Sequence, residues 1–301
     1  GTALGQLLFG LGSALWVLFL SRIIAGIAGG TQTAVSACII DVSAPGERMN
    51  KLALIGVAWG VGLVLGPALG TLLGAANPQA PALAAAALTC GMLLVVLVWL
   101  PESLPSDRCA DPPLRVGDLN PIASIAEMAG KPDLGALLGV LCLFNLAYLG
   151  ISTISSLFVI DRFAAGQEQV GLLLVLTGLS IATAQAVVSR MHVAPRAARL
   201  LAAISLAGQG IVALAICAVP RLWPIYGLTA VTGALSGLTS PALYALASGR
   251  VDAHDLGALM GVMTALTSAM NVLGALWAGA VYDHVAPSAP YWVGAGLFAL
   301  A

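Results

Sequence analysis

The fold of this chain is indicated by Gly62-Leu-Val-Leu-Gly66-Pro67-Ala-Leu-Gly70, a segment in which three glycines stand at successive i+4 positions. On a helix these glycines share one face and form a groove that another backbone can approach closely. Pro67 removes one backbone donor beside the groove and bends the helix, which a membrane tolerates when neighbours bond to the freed carbonyl. The segment favours a kinked, closely packed transmembrane helix, although ordinary packing of membrane helices would explain any single glycine pair.

The whole chain has the composition of a polytopic membrane protein. Of its 301 residues, 59% are hydrophobic and 8% are charged, whereas soluble domains have roughly 45–50% and about 25%. A formal net charge of -1 argues against nucleic acid as a partner. The five cysteines are scattered and the three histidines fall in or beside loops, so we expect no metal, no cofactor and no enzyme activity.

Eight apolar runs are long enough to span a bilayer, and a partial run stands at each end. We therefore expect about ten helices, the first and last of them partial. Because Gly1 is not a methionine and both ends fall inside apolar runs, we also expect the 301 residues to be the middle of a longer protein. The complete runs are approximately 15–42, 51–74, 81–100, 134–158, 168–190, 198–219, 222–248 and 256–282.

The positions of Lys and Arg predict the orientation. If the loop after residue 42 is cytoplasmic, the four connections on that side hold nine of the 12 basic residues. The opposite side then holds only Arg162 and Arg221, with Arg22 inside a helix. The positive-inside rule thus predicts which loops are cytoplasmic. We expect a multi-pass protein of the cell membrane, inner or plasma.

An internal repeat indicates two bundles. Residues 30–56 and 237–261 each run as helix, short charged turn and helix, and both cross the membrane in the same direction, as parallel repeats do. The longest connection holds six of the 13 acidic residues, and its residues 121–129 fit a short helix on the membrane surface. We expect a remnant of an N-terminal bundle over 1–100, a cytoplasmic linker over 101–133 and a C-terminal bundle over 134–301.

Motifs in the first half resemble those of the major facilitator superfamily. The run from 18 to 30, in which Arg22 is followed by Gly26 and Gly29, resembles its fourth-helix motif. The run from 62 to 71 resembles the fifth-helix motif Gly-x-x-x-Gly-Pro-x-x-Gly-Gly of its drug/proton antiporters, with Thr71 in place of the last glycine. Pro101-Glu102 resembles the usual ending of the sixth helix. The resemblance implies an all-α fold of two pseudo-symmetric six-helix bundles.

The resemblance is closest to the tetracycline-exporter branch of the twelve-helix antiporters, through Ser13-Ala-Leu-Trp16, Asp41 and Gly257-Ala-Leu-Met-Gly261. Those exporters carry acidic residues in the third and ninth helices, where this chain has Gly5 and Leu206. The chain would run from the third helix into the twelfth, without the first two helices and most of the last. The loops after helices 4, 6, 8 and 10 would then be cytoplasmic.

Candidate site residues fall into four groups, and each has a simpler alternative. Arg22 could snorkel to the outer interface, the charged loop could be a solvated one, and any polar side chain could bond only between helices. The groups are Arg22, Gly26 and Gly29 for transport and coupling; Gly62, Gly66, Pro67 and Gly70 as the antiporter motif; Asp41, Glu47 and Arg48 as a cytoplasmic gate; and Gln32, Asn145, Tyr148, Gln185, Gln209 and Asn271 as polar anchors of a substrate pocket.

These residues predict an alternating-access secondary transporter that exports small amphiphilic drugs or antibiotics and is driven by proton entry. We expect its partners to be the substrate, protons and the lipid bilayer, and its state to be a monomer. Apart from Asp41, no complete span carries a deep acidic residue, so the proton carrier is expected in the missing helices, or coupling is not to protons. The alternatives are a symporter or uniporter for a polar nutrient, and a non-transporting membrane receptor or scaffold.

The embedded arginine gives the first testable prediction. Because a charge within a span usually has a functional partner or cavity, Arg22→Ala is expected to abolish transport while the protein still inserts in the membrane. Gradient-driven efflux from membrane vesicles measures the loss, and immunoblotting of the membrane fraction controls for insertion. Unimpaired efflux by this variant would contradict the assignment.

Overall fold

The computed structural model describes residues 1–29, 35, 38, 39, 48–99, 121–131, 133–190, 195–251 and 255–301. In these residues the chain forms eleven α-helices and no strand. The helices are α1 (Thr2–Leu11), α2 (Leu15–Ile27), α3 (Arg48–Ala76), α4 (Ala80–Trp99), α5 (Pro121–Ala129), α6 (Leu134–Phe163), α7 (Gln167–Ser189), α8 (Pro195–Ala218), α9 (Leu222–Ser248), α10 (Leu256–His284) and α11 (Ala289–Leu300).

The helices follow the apolar runs of the sequence. Seven of the eight predicted spans coincide with one helix to within five residues at either end, and the eighth is described as a helix over Leu15–Ile27. Among the described residues, α4 and α6 to α10 are long and apolar enough to cross a membrane. The all-α polytopic prediction is therefore confirmed.

Helix α6 continues past the predicted end at 158 because polar contacts hold its last turn. Arg162 Nη2 donates to the carbonyl oxygen of Cys217 at 2.9 Å. Tyr282 Oη donates to Asp161 Oδ2 at 2.7 Å, which connects the ends of α6 and α10. A basic side chain in the last turn also interacts favourably with the helix dipole.

The outer faces of the helices are apolar, as a bilayer requires. Trp223 is 82% exposed, Trp99 is 77% exposed and Val98 is 73% exposed. Continuous exposed apolar surface of this kind is unusual on a monomeric soluble protein. Lipid is the environment in which these helices can leave such faces uncovered.

The chain divides into two compact units, of which the first comprises Gly1–Leu52 and Leu65–Pro113. Helix α1 packs against α2 and α4 in this unit. A Cβ atom placed on Gly5 would lie 2.9 Å from the carbonyl oxygen of Ser21, so α1 and α2 cross closely there. Only a residue without a side chain fits at that crossing.

The second unit comprises Ala53–Val64 and Leu114–Ala301. Helix α9 packs against α7 and α8, and α6 packs against α10 and α11. A Cβ on Gly233 would lie 2.7 Å from Thr177 O, and one on Gly237 would lie 2.9 Å from Ile181 O. These glycines allow the backbones of α9 and α7 to touch.

Helix α5 forms over the predicted residues 121–129, but it docks against the second unit. It contacts α6 and α10. Met128 is 3% exposed and belongs to an apolar core cluster with Leu134 and Leu259. Directly after this helix, Lys131 Nζ lies 2.6 Å from Asp255 Oδ2, beside the start of α10. Apolar burial and one ion pair thus hold this part of the linker.

The crossing of α7 and α9 gives a stability prediction. Gly237→Ala is expected to lower the free energy of unfolding by about 1–3 kcal/mol, the usual cost of overpacking, because a backbone carbonyl cannot rotate away. Gly227→Ala, on the same helix, is the matched control, because a Cβ placed there would have no described heavy atom within 4 Å. Thermal unfolding in detergent compares the two variants, and equal melting temperatures would contradict the close crossing.

Candidate functional site

Arg22 extends from α2 towards α1 and has partners there. Its Nη2 atom donates to Gln6 Oε1 at 3.3 Å. Its Cζ atom lies 4.0 Å from the ring centroid of Phe9, a cation–π contact. The side chain remains exposed within the first unit, and of the five guanidinium donors only one has an acceptor among the described residues.

Gly26 and Gly29 stand at the end of the described part of α2. The helix ends at Ile27, and the amide nitrogen of Gly29 donates to the carbonyl oxygen of Gly26 at 3.0 Å. A Cβ on Gly26 would have no described heavy atom within 4 Å. Their proposed part in transport stays a prediction.

The glycines of the antiporter motif face open space in the described structure. A Cβ on Gly62, Gly66 or Gly70 would meet no described heavy atom within 4 Å. The close contact of α3 is made by Gly60 instead, where a Cβ would overlap the Cβ of Ala182 on α7. A separation of two residues along a helix corresponds to about 200° of rotation, so Gly60 lies almost opposite Gly62. Among the described residues, none occupies the groove of the motif.

The expected cytoplasmic gate lies mostly beyond the described residues. Asp41 and Glu47 fall outside them, as does the pocket candidate Gln32. Arg48 is the first residue of α3, and the helix continues unbroken through Pro67, although neither side chain is described. The gate remains a prediction.

A cavity of about 60 Å³ lies inside the second unit, between α6, α7, α8, α9 and α11. Of the six pocket candidates, it brings together Tyr148 and Gln209. The hydroxyls of Ser155, Thr177, Thr229 and Thr232 were not predicted from the sequence because single Ser and Thr residues in apolar helices carry no distinctive pattern. The lining residues are Tyr148, Ile151, Ser152, Ser155, Thr177, Gln209, Ala213, Ile216, Thr229, Thr232, Tyr291 and Phe298.

Three other pocket candidates do not line this cavity. Asn145 is buried and its Nδ2 donates to the carbonyl oxygen of Leu141 at 2.8 Å, within α6. Gln185 on α7 buries its Oε1 atom without a hydrogen-bond partner among the described residues. Asn271 is exposed on α10. Their role in substrate binding is not established by these positions.

A buried hydrogen-bond network joins α8 and α9 beside the cavity. Gln209 Nε2 donates to Thr239 Oγ1 at 3.0 Å and to the carbonyl oxygen of Ser205 at 3.3 Å. The hydroxyls of Thr239 and Ser205 are 2.8 Å apart. All three residues are at most 1% exposed. In a low dielectric such a network holds its members in one geometry.

The lining of the cavity is neutral and largely apolar. Its aromatic and aliphatic side chains surround a few hydroxyls and one amide, which is the usual composition of small-molecule sites. Such a surface can bind apolar groups and orient them through hydrogen bonds. It offers no nucleophile with an adjacent base and no cluster of metal ligands among the described residues.

Comparison with known proteins identifies the family of this chain. The family model described as Major Facilitator Superfamily matches residues 1–208 and 137–301. The chain belongs to the major facilitator superfamily. Together with the multi-pass helices, this membership makes it a membrane transporter.

Superfamily relatives resemble it over nearly its full length. It is 33% identical to the tetracycline resistance protein, class C, of Escherichia coli, over 93% of this chain and 69% of that protein. It is 29% identical to the class G protein of Vibrio anguillarum, over 97% and 74%. The crystal structure of the human organic anion transporter MFSD10 matches with a TM-score of 0.82 and 26% identity, over 99% and 73%.

The contact between α3 and α7 gives a size-exchange prediction. Gly60→Ala is expected to destabilise the protein and reduce transport, because the new methyl group overlaps Ala182. Adding Ala182→Gly is expected to restore both properties. The control is Gly74→Ala on the same helix, where a Cβ would lie 3.6 Å from Pro81 Cγ, an ordinary contact.

Thermal unfolding and vesicle transport measure the effects. Failure of Ala182→Gly to rescue the Gly60 variant would contradict the contact.

Proposed function

We propose that this superfamily member exports small amphiphilic compounds in exchange for protons, by alternating access between its two halves. The observation that carries the proposal is the likeness to the tetracycline resistance proteins, 33% identity over 93% of this chain for class C. The chain also contains Arg22 and the glycine–proline segment, which resemble the motifs of drug/proton antiporters. The open face of Gly62, Gly66 and Gly70 supports a surface that meets different neighbours in different states.

The cavity of the second unit supports an amphiphilic substrate. Tyr291 is 2% exposed and Phe298 is 3% exposed, so both present buried aromatic surface beside hydroxyl and amide groups. A molecule with an apolar body and one polar end matches that combination. A highly polar nutrient would need more hydrogen-bonding groups than this lining offers, which makes the symporter or uniporter the weaker alternative.

Two positions favour substrates other than tetracycline. At Gly5 any side chain would meet the carbonyl oxygen of Ser21, so the α1–α2 crossing excludes a carboxylate there. Leu206 is 4% exposed within an apolar core cluster of the second unit. A substrate that needs an acidic partner at either position would lose that interaction.

Organic anions are the second candidate substrate class. The human organic anion transporter MFSD10 matches at a TM-score of 0.82, and the exposed guanidinium of Arg22 is a group that could pair with an anion. This candidate shares the alternating-access mechanism and differs in substrate charge. Transport of neutral, cationic and anionic dyes distinguishes the two candidate substrate classes.

The proposed function is tested in everted membrane vesicles that contain the full-length transporter. We expect a proton gradient, acidic inside, to drive uptake of neutral and cationic dyes, and an uncoupler to abolish it. Vesicles with Arg22→Ala should accumulate none, whereas those with Arg221→Ala, at an exposed helix terminus, should match the wild type.

Accumulation of anionic dyes alone would support the second candidate. Absence of any accumulation, or a lack of response to the gradient, would contradict proton-coupled export.

A further inference from the structure

Polar atoms form part of the surface of two cavities inside the second unit. The larger is the cavity described above, and the smaller has a volume of about 30 Å³. The two adjoin, because they have five lining residues in common, and the smaller one adds a further hydroxyl residue, Ser156. The shared residues are Ser155, Thr177, Ile216, Thr229 and Tyr291.

Several hydroxyls of this lining are left as acceptors. Four of them donate their protons to carbonyl oxygens of their own helices, so only their lone pairs remain for another molecule. The hydroxyl of Tyr148 interacts with Ser236, whose own proton goes to the carbonyl oxygen of Gly233 at 2.9 Å. Tyr148 is therefore the donor in that pair, and its oxygen also keeps a lone pair. The four hydroxyls belong to Ser155, Thr177, Thr229 and Thr232.

Other hydroxyls of the lining still have a proton to donate. Among the described residues, the hydroxyls of Ser152, Ser156 and Tyr291 have no hydrogen-bond partner. Tyr291 is 2% exposed, and its hydroxyl is not one of the fully buried atoms that lack a partner. Part of its small accessible surface therefore belongs to the hydroxyl. The lining thus offers donors as well as acceptors.

The volume restricts the occupant to very small molecules. The larger cavity, of about 60 Å³, is far below the roughly 300–1,000 Å³ of a pocket for a drug-sized ligand. A water molecule needs at least ~10–15 Å³ and takes up about 30 Å³ in the liquid. The larger cavity therefore has room for about two to four waters, and the smaller one for about one or two.

Water fits both kinds of polar group in this lining. A water molecule both donates and accepts hydrogen bonds, so it can meet the unpaired protons and the lone pairs together. No charged side chain is among the lining residues, so an ion would lose its hydration there without an opposite charge. Empty cavities are apolar ones, because a hydroxyl without a partner in a low dielectric is costly.

The lining also extends along the membrane span. On α6 it runs from Tyr148, near the middle of the helix, to Val159, close to the end at Phe163. At the rise of an α-helix, eleven residues cover about 17 Å, which is roughly half of the ~30 Å hydrocarbon core. Ser152 lines the larger cavity and is exposed, so the cavity reaches the surface of the unit there.

We propose that the two cavities form a hydrated inlet, in which a small cluster of water molecules bridges the hydroxyls of α6, α7, α9 and α11. The cluster exchanges with the surface of the unit at Ser152. It brings water to the middle of the span and supplies the hydrogen-bond partners that lipid cannot. A transported substrate reaches only the mouth of the inlet. The hydration is independent of the direction and the coupling ion of transport.

X-ray radiolysis of the full-length protein in lipid nanodiscs tests for this water, because hydroxyl radicals formed from a bound water oxidise the side chains beside it. Mass spectrometry gives the oxidation rate of each residue. Phe298 lines the larger cavity and Phe144 does not, although both are at most 3% exposed and their ring centroids are 6.4 Å apart. We expect Phe298 to be oxidised several times faster than Phe144. Equal rates would overturn the proposal and indicate dry cavities.

Filling the larger cavity should remove its water. Ala213 lines it and is 4% exposed, so Ala213→Leu is expected to lower the oxidation rate of Phe298 to that of Phe144. Ala203→Leu, the same change at an exposed position of α8, is the matched control and should keep the wild-type rates. An unchanged rate for Phe298 in Ala213→Leu, or the same loss in Ala203→Leu, would overturn the site.

Removal of hydroxyls provides a second test if Ala213→Leu does not fold. Thr229→Val combined with Thr232→Val keeps the side-chain volume and removes two groups that hold the water, so oxidation of Phe298 should again be slower. Thr153→Val is the control, because Thr153 also donates to its own helix, at Leu149 O, but is exposed and lines neither cavity. Thermal unfolding confirms that each variant is folded. Equal Phe298 rates in the double variant and the control would contradict hydration by these hydroxyls.

Discussion

Close approach of helix backbones at glycines is the constraint on which the second unit depends. Gly233 and Gly237 bring α9 close to α7. On α10, a Cβ placed on Gly274 would lie 3.0 Å from the backbone nitrogen of Gly150 on α6. In a bilayer, lipid competes equally for apolar surface, so helices associate through dispersion contacts and polar bonds. A single methyl group at such a crossing changes the distance between helices, and with it the cavity that α6 to α9 and α11 enclose.

Hydrogen bonds and an ion pair also connect the closely packed helices. Inside the unit, Gln209, Thr239 and Ser205 join α8 to α9, beside the wall of the cavity. Towards the ends of the spans, Tyr282 bonds to Asp161 and Lys131 pairs with Asp255. Buried hydroxyls elsewhere donate to their own helix and leave few unsatisfied groups. Among the described residues, three buried side-chain atoms have no hydrogen-bond partner: Gln185 Oε1, Gln209 Oε1 and Thr267 Oγ1.

Helix positions could be predicted from sequence because hydropathy and turn residues determine them directly. The prediction of 222–248 for α9 matches its bounds, and 256–282 falls short of the end of α10 by two residues. The end of α6 was predicted too early because Asp161 and Arg162 suggest a loop. Their partners are residues distant in sequence, on α10 and at the end of α8, which a local pattern cannot reveal.

The candidate site was only partly predictable, since polar residue type does not tell which face of a helix meets a cavity. Tyr148 and Gln209 line it, whereas Asn145 bonds within its helix and Asn271 is exposed. The glycine spacing in the fifth-helix motif predicts close packing on the face of Gly62. The described contact with α7 is made by Gly60, because a close contact requires a partner of matching size, here Ala182.

Alternating access is the central claim, and a distance measurement tests it most directly. Spin labels at Gln79→Cys and Arg221→Cys, in a background without native cysteines, place one label in each unit on the side expected to face outward. Double electron–electron resonance in liposomes should give two distance populations whose ratio changes with pH and with transported dye. A single distance that neither condition alters would contradict the account.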